Sequence, residues 1–296
     1  MYLTILGSGA ALPTGRRRCA GQILNIGGFK MLIDCAEGTQ DRIRQHHIKL
    51  QSISTVLISH LHGDHFFGLA GLLSTMHLCG RSEKMTVVAP KGAREVIETT
   101  FELTGNHIDY EIEWVEMEFA AGEQRVFENK RCTVDAFPIM HSVPTYGFRI
   151  STELGVRGAE MSGGDSQPAN DNWPMTTNPL TYAYCCDTIY DEAIVPHIAG
   201  ADLLCLECTF ANELAELAEQ RFHLTAGQAG QLARKAGVKQ LLLSHISARY
   251  KEPEILIQQA TEEFENSLLA ADGMRLELSH KGCKMTVQQT GIQQQP

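Results

Sequence analysis

Residues 56–73 read VLISHLHGDHFFGLAGLL. A strand-like apolar run, Val56-Leu57-Ile58, gives way to a polar turn carrying His60, His62, Asp64 and His65, and an apolar helical pattern follows from Phe66. Four side chains able to ligate a metal therefore fall within six residues. Three imidazoles and a carboxylate suit a zinc-like divalent ion, and the spacing is too tight for all four to close one structural tetrahedron. Two cations sharing the loop is the natural reading. An ordinary solvated turn would draw on Gly, Asn, Ser and Asp instead.

Upstream, Leu3-Thr4-Ile5-Leu6 alternates like a strand and ends in the sharp turn Gly7-Ser8-Gly9. Pro13-Thr14-Gly15 leads into Arg16, Arg17 and Arg18, the densest basic run of the chain, which charge patterning alone reads as a solvated loop. Gln22–Ile26 and Phe29–Ile33 form a hairpin pattern about Gly27-Gly28, ending at Asp34 and followed by a helix through Ile43. Downstream, strands are expected at Met85–Ala89, Ile112–Val115, Cys132–Ile139, Tyr182–Cys186, Leu203–Leu206 and Lys239–Leu243. Helices are expected at Gly92–Leu103, Glu213–Gln220, from the N-cap Thr225 to the stop Gly237, and over Glu254–Leu269, before two closing strands. Asp34, His60, His141, Asp187, Glu207 and His245 each end an apolar strand-like run. Strand ends on one sheet edge are rigid platforms, so these residues are expected to converge. His46, His47, His77, His107, His197 and His280 lack that placement and are read as structural.

With 296 residues and 43% hydrophobic content the chain can bury a sizeable core. No basic leader opens it and no apolar run reaches the length of a membrane span, so neither a signal peptide nor a membrane partner is expected. Nine cysteines in irregular positions, including Cys205 and Cys208 inside the apolar LLCLECTF, predict buried reduced thiols and a cytoplasmic setting. A net charge of −10 disfavours nonspecific nucleic-acid binding, so a polyanionic substrate needs a local basic patch or the metals themselves.

Suppose that His60, His62 and His141 hold one ion, that Asp64, His65 and His245 hold the other, and that Asp187 bridges them. Room for a shared water then remains, as expected of a catalytic site, and paired cations can clamp both oxygens of a phosphodiester displacement. Asp64 would accept the water's proton, and His223, oriented by Glu207, would protonate the leaving alkoxide.

Through the HLHGDH box and the later His141, Asp187 and His245, the chain resembles the metallo-β-lactamase superfamily. Within it, GSGAALP near the start, DCAEGTQ at 34–40, HSVPTYGFRI at 141–150 and FHLTAGQAGQLARKAGVKQLLLSHISARY at 222–250 are similar to the short form of the tRNase Z family. The resemblance implies a four-layer αβ/βα sandwich of the metallo-β-lactamase type with two zinc ions, and an endonuclease trimming 3′ trailers from precursor tRNA. It implies metal ligands at His60, His62, Asp64, His65, His141, Asp187 and His245, with Asp64, His223 and Glu207 catalytic. It puts Arg16–Arg18, and Arg249 of the SHISARY run, toward substrate. It also implies a homodimer to which the helix Phe66–Leu78 contributes, although core packing explains that helix's composition equally well.

The sequence departs from the family in its projecting arm. Ser151–Thr181 stands where the family carries a lysine-bearing exosite, but is shorter, lacks lysine and has only Arg157 as a basic residue. The chain is thus expected to be a single domain, 1–296, with a reduced arm at 151–181. A di-zinc hydrolase of smaller phosphodiesters or other esters, and a non-catalytic metal- or nucleic-acid-binding protein, are the competing expectations.

Overall fold

The computed structural model describes residues 1–119, 122–152 and 179–287. The chain forms strands β1 (Tyr2–Gly7), β2 (Gly9–Ala10), β3 (Gly21–Ile26), β4 (Phe29–Cys35), β5 (Ile53–Leu57), β6 (Met85–Pro90), β7 (Ile112–Met117), β8 (Gln124–Glu128) and β9 (Cys132–Ile139). They are followed by β10 (Thr145–Thr152), β11 (Thr181–Cys185), β12 (Leu203–Glu207), β13 (Leu241–Ser244), β14 (Ile246–Ser247), β15 (Ser267–Leu269), β16 (Met274–Ser279) and β17 (Gly282–Val287). The helices are α1 (Thr39–Gln45), α2 (Gly63–Phe66), α3 (Leu69–Leu78), α4 (Ala93–Thr104), α5 (Val195–Ile198), α6 (Ala215–Gln220), α7 (Ala226–Ala236) and α8 (Glu254–Glu263).

One sheet has the order β17-β16-β1-β3-β4-β5-β6-β7 and the other β15-β13-β12-β11-β10-β9-β8. Side chains alternate across a strand, so a sheet buried on both faces needs apolar residues at nearly every position. That is why VLI and VVA read as unbroken apolar runs. In β4, Met31 and Ile33 enter the core between the sheets while Leu32 and Cys35 face the opposite core, and in β6 Val88 and Val87 divide the same way. The outer core of the first sheet is closed by α1, α3 and α4 through Ile43, Leu72, Met76 and Ile97. The second sheet is covered by α5, α7 and α8 through Ile198, Leu232 and Leu256. The result is the four-layer αβ/βα sandwich.

β4 through β7 run parallel, and β11, β12, β13 and β15 run parallel in the second sheet. β9 shares the direction of β11, because each is antiparallel to β10. The C-terminal ends of β9, β11, β12 and β13 therefore lie along one edge. Glycines admit the chain where the edges crowd: a Cβ on Gly7 would stand 1.8 Å from the Cys19 carbonyl oxygen, and one on Gly68 would stand 2.0 Å from that of Ala36. Gly68 thus lets the start of α3 approach the end of β4.

The helix expected over Glu254–Leu269 ends at Glu263. Phe264 is extended, and Ser267–Leu269 becomes the edge strand β15, parallel to Leu241–Leu243. Pairing with a neighbouring strand overrides helical periodicity there. In α3, Leu69, Leu72, Leu73 and Met76 are buried in the chain's own core, so packing accounts for its apolar content and leaves Gly71 and Leu78 outward. None of the nine cysteines forms a disulfide, and seven are buried. Among the described residues no helix is long and apolar enough to cross a membrane. Most of the 151–181 arm, residues 153–178, lies outside the described residues.

Candidate metal centre

The expected ligands meet at the shared edge of the two sheets. His60, His62, His141 and Asp187 offer ligand atoms all within 4.8 Å of one another, and so do Asp64, His65, Asp187 and His245. Asp187 belongs to both groups. The first sheet delivers His60, His62, Asp64 and His65 from the β5–α2 loop and the short helix α2. The second delivers His141 just beyond β9, Asp187 beyond β11 and His245 beyond β13.

The tautomer of four of the imidazoles is set by what Nδ1 touches. His65 Nδ1 donates to Asp34 Oδ2 at 2.7 Å, since a carboxylate can only accept. His141 Nδ1 donates to the Phe222 carbonyl at 3.0 Å. Thr209 Oγ1 donates to Glu207 Oε2 at 2.6 Å, which leaves its lone pair to accept from His245 Nδ1 at 2.9 Å. Ser59 Oγ likewise donates to Asp34 Oδ2 at 2.9 Å and accepts from His60 Nδ1 at 3.1 Å. In the neutral form of each ring Nε2 is then the lone-pair nitrogen, the arrangement by which outer hydrogen bonds aim metal-binding histidines.

The ring nitrogens converge. His65 Nε2 lies 3.3 Å from His245 Nε2, and His141 Nε2 lies 3.3 Å from His62 Nδ1. Among the described residues His60 Nε2 and Asp187 Oδ1 are buried without a hydrogen-bond partner, although Asp187 Oδ1 lies 3.1 Å from His245 Nε2. Imidazoles and carboxylates packed this closely are favoured by positive charge among them, and the mix of nitrogen and oxygen donors fits a pair of borderline-soft divalent cations. The protonation behaviour agrees. Burial pushes His60 and His141 toward the neutral, ligating form. Burial opposes charge on His65 as well, but Asp187 and Asp34 outweigh it and hold its pKa well above the ordinary value. Asp187, also opposed by burial, is held well below the carboxylate range by His245, His65 and His60. The site attracts positive charge from whatever source is at hand.

Asp64 Oδ2 accepts from the Ala11 amide at 2.8 Å and lies 3.5 Å from His245 Nε2. His223 Nδ1 donates to Glu207 Oε1 at 3.0 Å, and its ring lies 5.5 Å from that of His141 and 5.4 Å from that of His245. Burial would lower its pKa, but Glu207, Asp187 and Asp64 outweigh burial and raise it to about 9. The chain around these groups is strained: Ala11, Asp34, Phe222 and His245 have φ between 56° and 59°, a left-handed conformation that side chains rarely adopt. Such strain collects at functional sites.

The chain's relatives agree with the geometry. The β-lactamase superfamily domain pattern matches residues 30–246. Ribonuclease Z of Phocaeicola vulgatus is 35% identical over 299 residues, covering 93% of this chain and 96% of that protein. The chain belongs to the ribonuclease Z family. Ribonuclease Z of Bacteroides fragilis is 33% identical over 93% of this chain and 98% of its own length. Among solved structures, that of human tRNase Z, short form, superposes with a TM-score of 0.74 at 26% identity, covering 94% of this chain and all of that one.

This ribonuclease Z family member also carries groups that the sequence reading left without a role. Asp34, expected to converge with the other strand-end residues, does so without being a ligand: its buried carboxylate accepts from the Ser59 amide, Ser59 Oγ, His65 Nδ1 and the Tyr184 hydroxyl. Thr209 and Ser59 each aim one histidine. The segment DCAEGTQ was the available signal for Asp34, whereas nothing local marks Thr209. Of the arginines assigned to substrate, Arg17 is half-buried and donates to Ser8 Oγ and the Ala270 carbonyl, so its guanidinium is committed within the fold. Arg16 is exposed and pairs with Glu252, and Arg18 is exposed. Arg249 is exposed, its guanidinium 4.7 Å over the Phe210 ring. The six histidines read as structural stand outside every donor group among the described residues.

Proposed function

We propose that the protein is a metal-dependent endoribonuclease that removes 3′ trailers from precursor tRNA, with two zinc ions per chain. Its ligands are His60, His62 and His141 for one ion, Asp64, His65 and His245 for the other, and Asp187 for both. The observation that carries this reading is the convergence of two four-donor groups that share Asp187, with a Glu207–His223 pair alongside. The first asks for cations, and the second supplies a proton donor at a phosphodiester's leaving side.

When bound, the cations would lower the pKa of a shared water and neutralise charge on the phosphate. Asp64, held by Ala11 and facing His245, is placed to take a proton from the attacking water. Its low basicity is no obstacle when the task is to orient a proton already weakly held. His223 presents Nε2 as a donor while Nδ1 is pinned to Glu207. A carboxylate at 3.0 Å keeps the imidazole protonated near neutral pH, which suits it to protonating the departing 3′-oxygen of the ribose. Thr209 ties the two functions together, since one hydroxyl serves both Glu207 and His245. In this reading the exposed Arg18 and Arg249 meet phosphates, with Arg16 released from Glu252 on binding and Arg17 supporting the loop.

The same reading takes residues 1–296 as one domain with a reduced arm. It assigns a homodimer contact to the outward side of α3, where Gly71 and Leu78 are exposed, and a cytoplasmic setting consistent with nine cysteines outside any disulfide.

Incubation of the zinc-loaded chain with a 3′-extended precursor tRNA and with a small chromogenic phosphodiester tests the proposal. Cleavage of the precursor at one position, lost in Asp64→Ala and His223→Ala, is expected. Turnover of the small ester alone would move the assignment to a small-phosphodiester hydrolase, and no turnover of either would leave only a binding protein.

A further inference from the structure

Nine large apolar side chains are exposed among the described residues, and four of them adjoin the metal centre. Phe222 (39% exposed) precedes His223 and gives its carbonyl to His141. Met140 precedes His141. Phe67 (72% exposed) lies against Gly63, where an added Cβ would come within 2.6 Å of its ring. Leu12 (64% exposed) follows Ala11, whose amide holds Asp64. The ligands that these residues border, His62, Asp64 and His141, are the partly exposed ones, while His60, His65, Asp187 and His245 are buried. The mouth of the centre is therefore polar in the middle and apolar at its rim.

Resting on the endoribonuclease reading, we infer that Phe67 and Phe222 are stacking platforms for unpaired bases on either side of the scissile phosphate. Phe67 receives a base beside Gly63, and Phe222 one beside His141, whose ring centroid lies 6.3 Å from its own. A ligand that seats here must bring an anion to the cations and flat apolar surfaces to the rim. A single-stranded nucleotide chain has both, and aromatic side chains recognise it without regard to sequence. A second protein covering these rings would close the reacting atoms off from substrate, whereas the substrate must occupy the mouth in any case. Phe222 is also well fixed for the task. Its backbone is held in the left-handed region by the bond to His141, so its ring is pre-positioned rather than recruited from a mobile loop. Stacking of this kind would supply grip on the RNA independent of any basic arm.

The test measures binding, by fluorescence anisotropy with metal chelated so that no turnover occurs. The ligands are a short acceptor-stem RNA with a single-stranded 3′ extension and two versions made abasic on one or the other side of the cleavage position. Wild-type protein is expected to bind the intact RNA about tenfold more tightly than each abasic one. Phe222→Ala should abolish discrimination at one position and Phe67→Ala at the other, and Phe222→Trp should restore it. Wild-type protein that binds all three alike, or variants that keep full discrimination, would overturn the inference. Discrimination by wild-type protein that, once reloaded with zinc, leaves the precursor uncut would sink the endoribonuclease reading while leaving the stacking sites standing.

Discussion

His60, His62, Asp64 and His65 come from one six-residue stretch, whereas His141, Asp187 and His245 come from three strand ends spread over residues 141–245. The first group needs only β5 and the turn that follows it. The second exists only once β9, β11 and β13 have taken their places in one sheet. The contrast separates a local half of the centre, set by short-range geometry, from an assembled half, set by topology. His223 belongs to neither half, since it reaches the site from the turn between α6 and α7.

The largest effect is expected where the comparison is easiest to break. His223→Ala should lower kcat by about 10²- to 10⁴-fold, the usual contribution of a positioned general acid, while metal content stays that of the wild type. Should the variant also lose metal, the centre would not be built from the two halves alone. Chelation comes next. Cations that bridge the halves stabilise the fold by about 2.7 kcal/mol at a hundredfold excess over Kd. Hydrogen exchange should report a larger loss of protection at the ends of β9, β11 and β13 than in the 60–65 loop. Equal loss in both would erase the distinction between them.

Asp34→Asn addresses the joint between the halves. The Asp34 carboxylate aims His65 directly and His60 through Ser59, and it accepts from Tyr184 of β11 across the space between the sheets. An amide of equal size loses the charge and one acceptor site, and zinc affinity should fall about 10- to 100-fold as for other groups that orient metal-bound histidines. Titration with a competing chelator measures it, and unchanged affinity would mean that each half orients its own ligands unaided.

The same division governs how much could be read from the chain. The loop at 60–65 was legible because ligand chemistry is concentrated where a strand stops. The strand-end pattern extended that legibility to His141, Asp187, Glu207 and His245, because parallel strands send their C-terminal ends to one edge. Asp34, Ser59 and Thr209 were not legible as supporting groups. Their partners lie up to 150 residues away, and a buried hydroxyl looks like any other in sequence. The helix drawn through Leu269 failed for a related reason: Ser267–Leu269 is a strand only because β13 offers it an open edge. Arg17 shows the limit from the other side, since a basic run announces charge but not that one guanidinium in it is tied to Ala270.

The smallest effect concerns a histidine outside the centre that shares one property with His60. Both nitrogens of His46 are buried without a partner, as Nε2 of His60 is, yet around His46 there are Arg42 and Arg275 rather than carboxylates and further imidazoles. Burial first, and then those positive neighbours, lower its pKa below the ordinary value of 6.5. As pH falls through 6.5 the unfolded chain gains a proton that the folded chain resists, so stability drops with acidification, and above that range His46 contributes no slope. His46→Leu should make the fall in stability between about pH 7 and pH 5 shallower, as read by urea unfolding at each pH. Loading with zinc should leave the difference between wild type and variant unchanged, because cations reach only the converged donors. If zinc removed that difference, an unpartnered buried nitrogen would be enough to attract a cation, and convergence of donors from both halves would not be what defines the site.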